Sequence, residues 1–165
     1  MINAIVAVDN NQGIGYKGSM PWPHLHYDML WFKLMTENNV IMMGRRTWES
    51  MNKRNLPNRK SIIVSKKMDP EMDIWMPDID SAITYYKIYL HSKDLYIIGG
   101  GEIYNACKSF VQKWYVTEVN KNYDCDTFFD YNFVKQTIKN RIEIAKFESP
   151  VEHTIYEYNN ETSRI

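Results

Sequence analysis

The sequence predicts an α/β fold: a single domain on one mostly parallel sheet, with antiparallel C-terminal strands and helices on both faces. Short apolar runs rich in β-branched residues alternate with segments of helical periodicity through residue 109, which is typical of a parallel sheet. From Trp114 onward three strand-like runs follow with little helix between them, which predicts the antiparallel ending. The 165 residues contain no repeat and no Gly/Ser linker, so we expect one domain.

Each predicted element of the first part of the chain rests on a local pattern. Residues 2–8 form an apolar run with β-branched side chains, which predicts a buried strand. Residues 9–23 are rich in Asn, Gly and Pro and predict a long loop, which in a compact domain is more often a functional lid than filler. Apolar side chains at helical spacing predict a helix over residues 25–37. A strand over residues 40–43 and a short helix over residues 44–51 follow.

The remaining elements are predicted in the same way. The predicted strands are residues 61–64, 74–76, 95–98, 114–119, 141–147 and 153–158. The predicted helices are residues 81–90, with Asp80 as the N-cap, and residues 102–109. Open α/β sheets bind ligands at the carboxyl ends of their strands. The candidate site loops are therefore those after Val8, Met43, Val64 and Ile98.

Composition and charge narrow the classes of function. Twenty Lys and Arg residues balance twenty Asp and Glu residues, which disfavours a broad electrostatic binder of nucleic acid or anionic membranes. The first apolar run has no basic segment before it and is too short for a signal peptide or a membrane span. Cys107 and Cys125 are too few for a disulfide scaffold. We therefore expect a cytoplasmic protein with two reduced thiols, and a monomer.

The first candidate site residue is Asp28, an acid on the apolar face of the predicted helix over residues 25–37. It shares that face with Leu25, Phe32 and Met35. A carboxylate in such a position is partly desolvated and needs a partner, which favours a ligand-facing role or a raised pKa. The alternative is an acid in the first helical turn that faces solvent and the positive end of the helix dipole.

Two turns after predicted strands carry groups suited to phosphate. Residues 44–47, Gly-Arg-Arg-Thr, combine free N–H groups at a helix start with two guanidinium groups. Residues 65–67, Ser-Lys-Lys, add a hydroxyl and two ammonium groups. Both turns are expected at one sheet edge, so they favour a ligand with two phosphate centres, such as a dinucleotide. The alternative for each is a set of solvated surface side chains.

A third candidate phosphate turn is residues 98–104, Ile-Gly-Gly-Gly-Glu-Ile-Tyr. Glycines between a strand and a helix allow the backbone to approach a pyrophosphate closely. The segment is not the Rossmann fingerprint, because Tyr104 stands where the final glycine of G-x-G-x-x-G is required. A tight turn without a ligand remains the alternative.

Arg59 and two histidines complete the candidates. Arg59 follows the turn-like Pro57-Asn58 and precedes a strand, a position suited to a ligand carboxylate or, alternatively, to a simple surface turn. His24 and His26 have no third His or Cys at ligand spacing, so we expect no metal site.

Taken together, these residues resemble the dihydrofolate reductase family. The matching stretches are Met-Pro-Trp at 20–22, Asp28 with Trp-Phe-Lys at 31–33, Met-Gly-Arg-Arg-Thr-Trp-Glu-Ser at 43–50, Leu-Pro-Asn-Arg-Lys at 56–60 and the glycine segment at 98–104. Thr117 and Asp-Thr-Phe-Phe at 126–129 also match. The order and spacing hold across almost the whole chain, which makes the resemblance specific.

The resemblance implies reduction of 7,8-dihydrofolate to tetrahydrofolate by NADPH, in support of one-carbon metabolism and thymidylate synthesis. Hydride would pass to C6 of the pterin, and N5 would gain a proton through water. Asp28 would bind the pterin 2-amino group and N3, with support from Thr117. Trp22 would order the water, and the loop that carries Met20 would close over the nicotinamide. Antifolate inhibitors are implied as further ligands.

The resemblance also implies which residues line the two ligand sites. Those implied for the substrate are Ile5, Ala7, Asp28, Met29, Phe32, Met51, Leu56, Arg59, Ile98, Tyr104 and Thr117, with Arg59 on the glutamate α-carboxylate. Those implied for the cofactor are Ala7, Ile14, Gly18, Ser19, Gly44, Arg45, Arg46, Thr47, Val64, Ser65, Lys66, Ile98, Gly100, Gly101, Glu102 and Ile103. Within that set Arg45, Ser65 and Lys66 would bind the 2′-phosphate and favour NADPH over NADH. A cis peptide between Gly99 and Gly100 is implied as well.

Two other functions compete with this interpretation. A reductase of the riboflavin pathway shares the sheet and a Gly-rich cofactor turn, but the Met-Pro-Trp segment and Asp28 argue against it. A non-catalytic nucleotide-binding module on the same fold is the second alternative, because fold alone does not fix function. The joint presence of Trp22, Asp28, Arg59 and Thr117 disfavours that module.

Overall fold

The secondary structure alternates between strands and helices over residues 1–160, which the computed structural model describes. The strands are β1 (Ile2–Val8), β2 (Gly13–Gly15), β3 (Val40–Gly44), β4 (Lys60–Val64), β5 (Ile74–Met76), β6 (Leu95–Ile97), β7 (Lys113–Val119), β8 (Thr127–Phe128), β9 (Asn140–Phe147) and β10 (His153–Asn159). The helices are α1 (His26–Thr36), α2 (Arg45–Ser50), α3 (Ile79–Tyr85), α4 (Gly101–Cys107) and α5 (Tyr131–Thr137), and a π-helical segment, Tyr86–Leu90, extends α3. None of the helices within these residues is long and apolar enough to cross a membrane.

Eight of the strands form one sheet in the order β5-β4-β3-β6-β1-β7-β10-β9. The pairs from β5 to β7 are all parallel, whereas β10 is antiparallel to both β7 and β9. The predicted mostly parallel sheet with an antiparallel C-terminal end is therefore confirmed. The carboxyl ends of β4, β3, β6 and β1 lie side by side at one edge, so the loops that follow these strands meet there.

A hydrophobic layer covers each face of this sheet. Because side chains alternate along a strand, Ala4 and Val6 of β1 join one layer and Ile5 joins the other. The first layer also holds buried side chains of α3, α4 and α5, among them Tyr104. The second layer holds side chains of α1 and α2, among them Phe32 and Trp48. Helices therefore pack on both faces, as predicted.

The structure corrects three details of the predicted elements. Helix α3 begins at Ile79, and its N-cap is Asp78, whose Oδ1 accepts a hydrogen bond from the backbone N–H of Ser81 at 2.7 Å; the assignment of Asp80 as the cap was wrong. The C-terminal part contains α5, capped by Asp130, although little helix was expected there. The predicted loop over residues 9–23 contains β2, which pairs with β8 in a separate two-stranded ribbon.

The glycine turn after β6 has the backbone geometry that was expected. The peptide bond between Gly99 and Gly100 is cis. Gly99 has φ of +120°, and a Cβ at this position would lie 3.2 Å from the Tyr104 ring, so a side chain is disfavoured there by both conformation and space. The Tyr104 hydroxyl donates to the carbonyl of Ile5 at 2.6 Å, which ties α4 to the centre of the sheet.

Candidate functional site

Helix α1 borders an open, largely apolar cleft. Thr36 is the only buried residue of its eleven, and apolar side chains such as Met29 remain 38% exposed. At the first turn of the helix lies a cavity of about 240 Å³, lined by Ser19, Met20, Trp22, Pro23, His24, Leu25, Asp28 and Met29. An apolar pocket with a few convergent polar groups is typical of a small-molecule site.

Asp28 is the acid of this cavity, and it has one defined partner. The Thr117 hydroxyl on β7 donates to Asp28 Oδ1 at 2.5 Å. Burial raises the pKa of Asp28 above its ordinary value, and the Thr117 hydrogen bond and the charge of His153 oppose that rise. The raised pKa expected from the sequence is thus confirmed, and the alternative of an acid that faces solvent is wrong. The carboxylate retains lone pairs to accept hydrogen bonds from a planar ligand with adjacent N–H groups.

A second apolar surface beside α1 is the hydrophobic layer on the α1 face of the sheet. Ile5 is buried in that layer, and Phe32, Met51, Leu56 and Ile98 pack against it while remaining partly exposed. These five side chains come from β1, α1 and three loops, so residues distant in sequence meet on one apolar surface. A flat aromatic ligand would bury this surface on binding.

Arg59 lies near the C-terminal end of α1, and part of its guanidinium group is already hydrogen-bonded within the protein. Its Nε donates to Thr36 Oγ1 at 2.9 Å, and one terminal nitrogen donates to the carbonyl of Pro57 at 2.9 Å. These bonds fix the plane of the guanidinium group, and its remaining N–H groups are available to a carboxylate. Burial lowers the pKa of Arg59, and the charge of Glu37 opposes that shift.

The three candidate phosphate turns meet at the carboxyl ends of β4, β3 and β6, which are adjacent in the sheet. The backbone N–H of Gly44 donates to the carbonyl of Gly99 at 2.9 Å, so two of the turns are joined directly. A Cβ on Gly100 would lie 3.5 Å from the Thr47 hydroxyl, which shows how closely the α2 and α4 starts approach. Exposed Arg46 and Lys66 stand on the first and second turns.

Arg45 pairs with two acidic side chains, Glu49 from the same motif and Asp69 from a loop distant in sequence. Its Nε pairs with Glu49 Oε1 at 2.6 Å, and one terminal nitrogen lies 3.9 Å from Asp69 Oδ2. Asp69 also pairs with Lys53 at 3.1 Å. The i, i+4 spacing of Arg45 and Glu49 was visible in the sequence, whereas the approach of Asp69 depends on the fold.

The family model described as dihydrofolate reductase matches residues 1–160 of the chain. The chain belongs to the dihydrofolate reductase family. Among curated relatives, dihydrofolate reductase from Buchnera aphidicola is 38% identical over 129 residues, which cover 78% of this chain and 78% of that protein. Dihydrofolate reductase from Haemophilus influenzae is 36% identical over 126 residues, which cover 76% of each chain. Among solved structures, dihydrofolate reductase from Enterococcus faecalis complexed with NADP(H) and RAB-propyl has a TM-score of 0.81 and 26% identity, and the match covers 96% of this chain and 95% of that one.

Several of the predicted site residues line the cavity at the first turn of α1. Asp28, Trp22, Met20 and Met29 line the cavity, and Ser19 joins them. Ala7 packs with Trp22 in a small cluster beside it. Tyr104 does not line this cavity, because it is buried in the hydrophobic layer shared with α3, α4 and α5, and its hydroxyl donates to the carbonyl of Ile5.

On the cofactor side, several predicted residues make structural contacts of their own. The Ser65 hydroxyl donates to the carbonyl of Lys67 at 2.9 Å. Gly101 has no room for a side chain, since a Cβ there would lie 2.8 Å from the carbonyl oxygen of Phe128 and 3.7 Å from Ile14. Val64 and Ile103 are partly buried against the core, and Glu102 is exposed.

The loop between β1 and α1 contains a tight turn within the segment predicted as one long loop. Tyr16 and Ser19 form a two-way backbone pair at 2.8 and 3.1 Å around Gly18, which has φ of +79°. The backbone N–H of Lys17 in this turn donates to Asp126 Oδ2 at 2.9 Å. Asp126 belongs to the Asp-Thr-Phe-Phe motif, and its contact with the turn depends on the fold, so spacing in the sequence does not predict it.

Proposed function

We propose that this protein reduces 7,8-dihydrofolate to tetrahydrofolate with NADPH as the hydride donor. The observation that carries the proposal is the Thr117–Asp28 pair, an acid with a raised pKa at the mouth of an apolar cleft. Membership of the dihydrofolate reductase family and the likeness to the Enterococcus faecalis complex with NADP(H) support it.

Asp28 binds and orients the pterin in this proposal. Its carboxylate accepts hydrogen bonds from the 2-amino group and N3 of the pterin ring, and Thr117 holds the carboxylate in the required direction. A negative charge beside the ring favours the protonated pterin, which is the form that accepts hydride at C6 more readily. Phe32, Leu56 and Met51 cover the aminobenzoyl part, and Arg59 pairs with the glutamate α-carboxylate.

The proton for N5 comes through water in the cavity beside Trp22. That cavity of about 240 Å³ has space for water and is bordered by Asp28. Trp22 is 7% exposed and packs edge-to-face on Tyr123 with ring centroids 6.1 Å apart, so its indole is held firmly at the wall. Met20 is 50% exposed and is free to cover the nicotinamide side when the loop closes.

The residues at the sheet edge fit a dinucleotide phosphate. The glycine turn and the start of α2 supply backbone N–H groups, and Arg45, Arg46 and Lys66 supply positive charge. When bound, NADPH supplies the hydride. Arg45, Ser65 and Lys66 bind its 2′-phosphate. To do so, Arg45 gives up part of its contact with Glu49 and Asp69. Thr47, Gly100 and Gly101 lie along the pyrophosphate.

A turnover assay with two substrates tests this proposal. The purified protein is given NADPH with 7,8-dihydrofolate or with the ribosylaminopyrimidine substrate of the riboflavin-pathway reductase, and NADPH oxidation is followed by absorbance. We expect oxidation only with dihydrofolate, with equimolar tetrahydrofolate formed. Turnover of the pyrimidine alone favours the related reductase, and no turnover of either substrate favours a non-catalytic module.

We also infer that the protein acts as a cytoplasmic monomer. Cys107 and Cys125 are both unpaired, which suits a reducing compartment. Size-exclusion chromatography with light scattering tests the oligomeric state, and a mass near that of two chains would contradict a monomer.

A further inference from the structure

The first turn of α1 carries Asp28 and follows Leu25, which is buried in a small cluster with Trp22 and Val119. The N-cap residue Leu25 makes no side-chain hydrogen bond to the helix start. A helix end without a cap leaves backbone N–H groups unsatisfied and tends to fray. Thr36, at the opposite end, is the only buried residue of the helix. The direction of the Asp28 carboxylate therefore depends on side-chain contacts made by this first turn.

One such contact is an aromatic stack formed by Tyr27, Phe147 and His153. The rings of Tyr27 and Phe147 are nearly parallel, with centroids 5.0 Å apart and an interplanar angle of 11°. Phe147 stacks in turn on His153 at 5.1 Å and 29°. Phe147 and His153 are directly opposite each other on β9 and β10, and such cross-strand aromatic pairs stabilise a sheet.

The inner end of the aromatic stack is fixed. His153 is 1% exposed, and its Nδ1 lies 2.7 Å from the carbonyl oxygen of Val151. Because a carbonyl oxygen only accepts, Nδ1 is the donor, and this bond fixes the ring plane. The outer end is different: the Tyr27 side chain is 56% exposed, so burial in the core does not explain its place.

The aromatic stack and the Asp28 hydrogen bond reach the same part of the sheet. Thr117 pairs with Ile155 and Val119 pairs with His153 in the β7–β10 ladder. Thr117 and His153 are thus diagonal neighbours on one face of these strands. Asp28 is bonded to Thr117, and the preceding residue, Tyr27, is stacked towards His153 through Phe147. Two consecutive residues of α1 thus contact the antiparallel end of the sheet: Asp28 bonds to Thr117 on β7, and Tyr27 stacks on Phe147 of β9, with β10 between these two strands.

We propose that Tyr27 is a positioning residue, which holds the first turn of α1 through the aromatic stack and so fixes the Asp28 carboxylate for the pterin. The inference rests on the proposed dihydrofolate reduction and adds a residue that does not touch the substrate. Loss of the ring removes neither Asp28 nor Thr117. It frees the helix start, so the Asp28 carboxylate samples directions in which it cannot bind the pterin edge.

Three variants of the full chain test this role. Tyr27→Ala removes the stack, and Tyr27→Phe keeps the ring without the hydroxyl. Leu34→Ala is the matched control, because Leu34 lies two turns further along the same face of α1 and is 64% exposed. For each variant the KM values for dihydrofolate and NADPH, kcat and the thermal midpoint are measured.

We expect Tyr27→Ala to raise the KM for dihydrofolate by about three- to tenfold, since small misplacements of binding groups have large kinetic effects. The KM for NADPH and the thermal midpoint stay close to those of the parent. Tyr27→Phe and Leu34→Ala both behave as the parent does.

Several results would overturn the role of Tyr27 while leaving the proposed function intact. These are an unchanged KM for dihydrofolate in Tyr27→Ala, an equal rise of both KM values, an equal effect of Leu34→Ala, or no recovery with Tyr27→Phe. A parent protein that does not turn over dihydrofolate overturns the proposed function and this inference together.

Discussion

Asp28 illustrates the conflict between stability and ligand binding at a single residue. Its carboxylate is withdrawn from water beside one hydroxyl donor, and burial raises its pKa. A buried acid that must be ionised at neutral pH costs folding free energy, because the unfolded chain holds the same charge in water. Strained or desolvated groups of this kind are typical of functional sites.

Replacement of Asp28 by Asn is therefore expected to stabilise the ligand-free protein. Asn retains an oxygen that can accept the Thr117 hydrogen bond but carries no charge. The folded-state pKa of Asp28 is raised, so the stability of the parent falls as pH rises from the ordinary aspartate value of about 3.9 through the raised pKa. Asp28→Asn should show no gain in thermal midpoint below about pH 4 and a gain of roughly 2–5 °C at neutral pH. A gain of equal size at all pH values, or a loss at pH 7, would contradict a raised pKa.

Arg59 offers a second test at the residue scale. Two N–H groups of its guanidinium group donate to Thr36 and Pro57. These bonds fix the plane of the group, and its remaining N–H groups can bind a carboxylate. Lys cannot reproduce this two-sided bonding. Arg59→Lys should raise the KM for dihydrofolate by about tenfold or more, with little change for a dihydropterin that lacks the glutamate tail. An equal effect on both substrates would assign Arg59 a purely structural role.

At the scale of single elements, local patterns in the sequence predicted most of the strands. The wrong predictions fell where the local pattern was ambiguous or where an element depends on contacts distant in sequence. Strand β1 was predicted with its observed bounds because its apolar run is continuous. Asp78 and Asp80 both precede α3, and spacing alone did not separate them. Asp130 is the N-cap of α5, because its Oδ1 accepts a hydrogen bond from the Phe133 N–H at 3.2 Å. An aspartate in this position indicates a helix start, but α5 has only seven residues and its pattern is weak. The pairing of β2 with β8 depends on contacts between distant segments.

The start of α4 is the element whose geometry matters most for the cofactor. Because Gly101 has no side chain, this helix start packs closely against the Phe128 carbonyl and Ile14. The glycine turn therefore contacts both strands of the two-stranded ribbon, β2 and β8. A methyl group at residue 101 forces these backbones apart, because a Cβ would lie 2.8 Å from the Phe128 oxygen.

Gly101→Ala is accordingly expected to weaken NADPH binding by about tenfold or more and to lower the thermal midpoint by a few degrees. Fluorescence titration with NADPH and thermal unfolding measure the two effects. Glu102→Ala is the matched control, since Glu102 is exposed in the same turn and its replacement should leave the midpoint unchanged. Equal behaviour of the two variants would show that close packing at residue 101 is unimportant.

At the scale of the whole molecule, zero net charge coexists with a local excess of cations at one sheet edge. Twenty acidic and twenty basic residues cancel overall, yet Arg45, Arg46, Lys66 and Lys67 stand near the ends of β3 and β4. The sequence predicted this edge because the topology of parallel strands brings their carboxyl ends together. It did not predict that Glu49 and Asp69 already pair with Arg45, since Asp69 approaches only through the fold.

The positive charge at this sheet edge makes the preference for NADPH over NADH depend on ionic strength. NADPH is expected to bind much more tightly than NADH, and the ratio of the two affinities should fall as ionic strength rises, because partly exposed charges are screened. Arg45→Ala combined with Lys66→Ala should lower NADPH affinity by about ten- to a hundredfold with little effect on NADH. Equal losses for both cofactors would instead place these side chains at the pyrophosphate.

The central claim is hydride transfer from NADPH to C6 of a pterin held by Asp28, and isotope transfer tests it most directly. The protein is given NADPH with deuterium at the transferred position of the nicotinamide, together with 7,8-dihydrofolate, and the product is examined by NMR. We expect the parent protein to form tetrahydrofolate with one deuterium at C6, and Asp28→Asn to form it on the order of a hundredfold more slowly. Product without deuterium at C6, or an Asp28→Asn variant as fast as the parent, would contradict it.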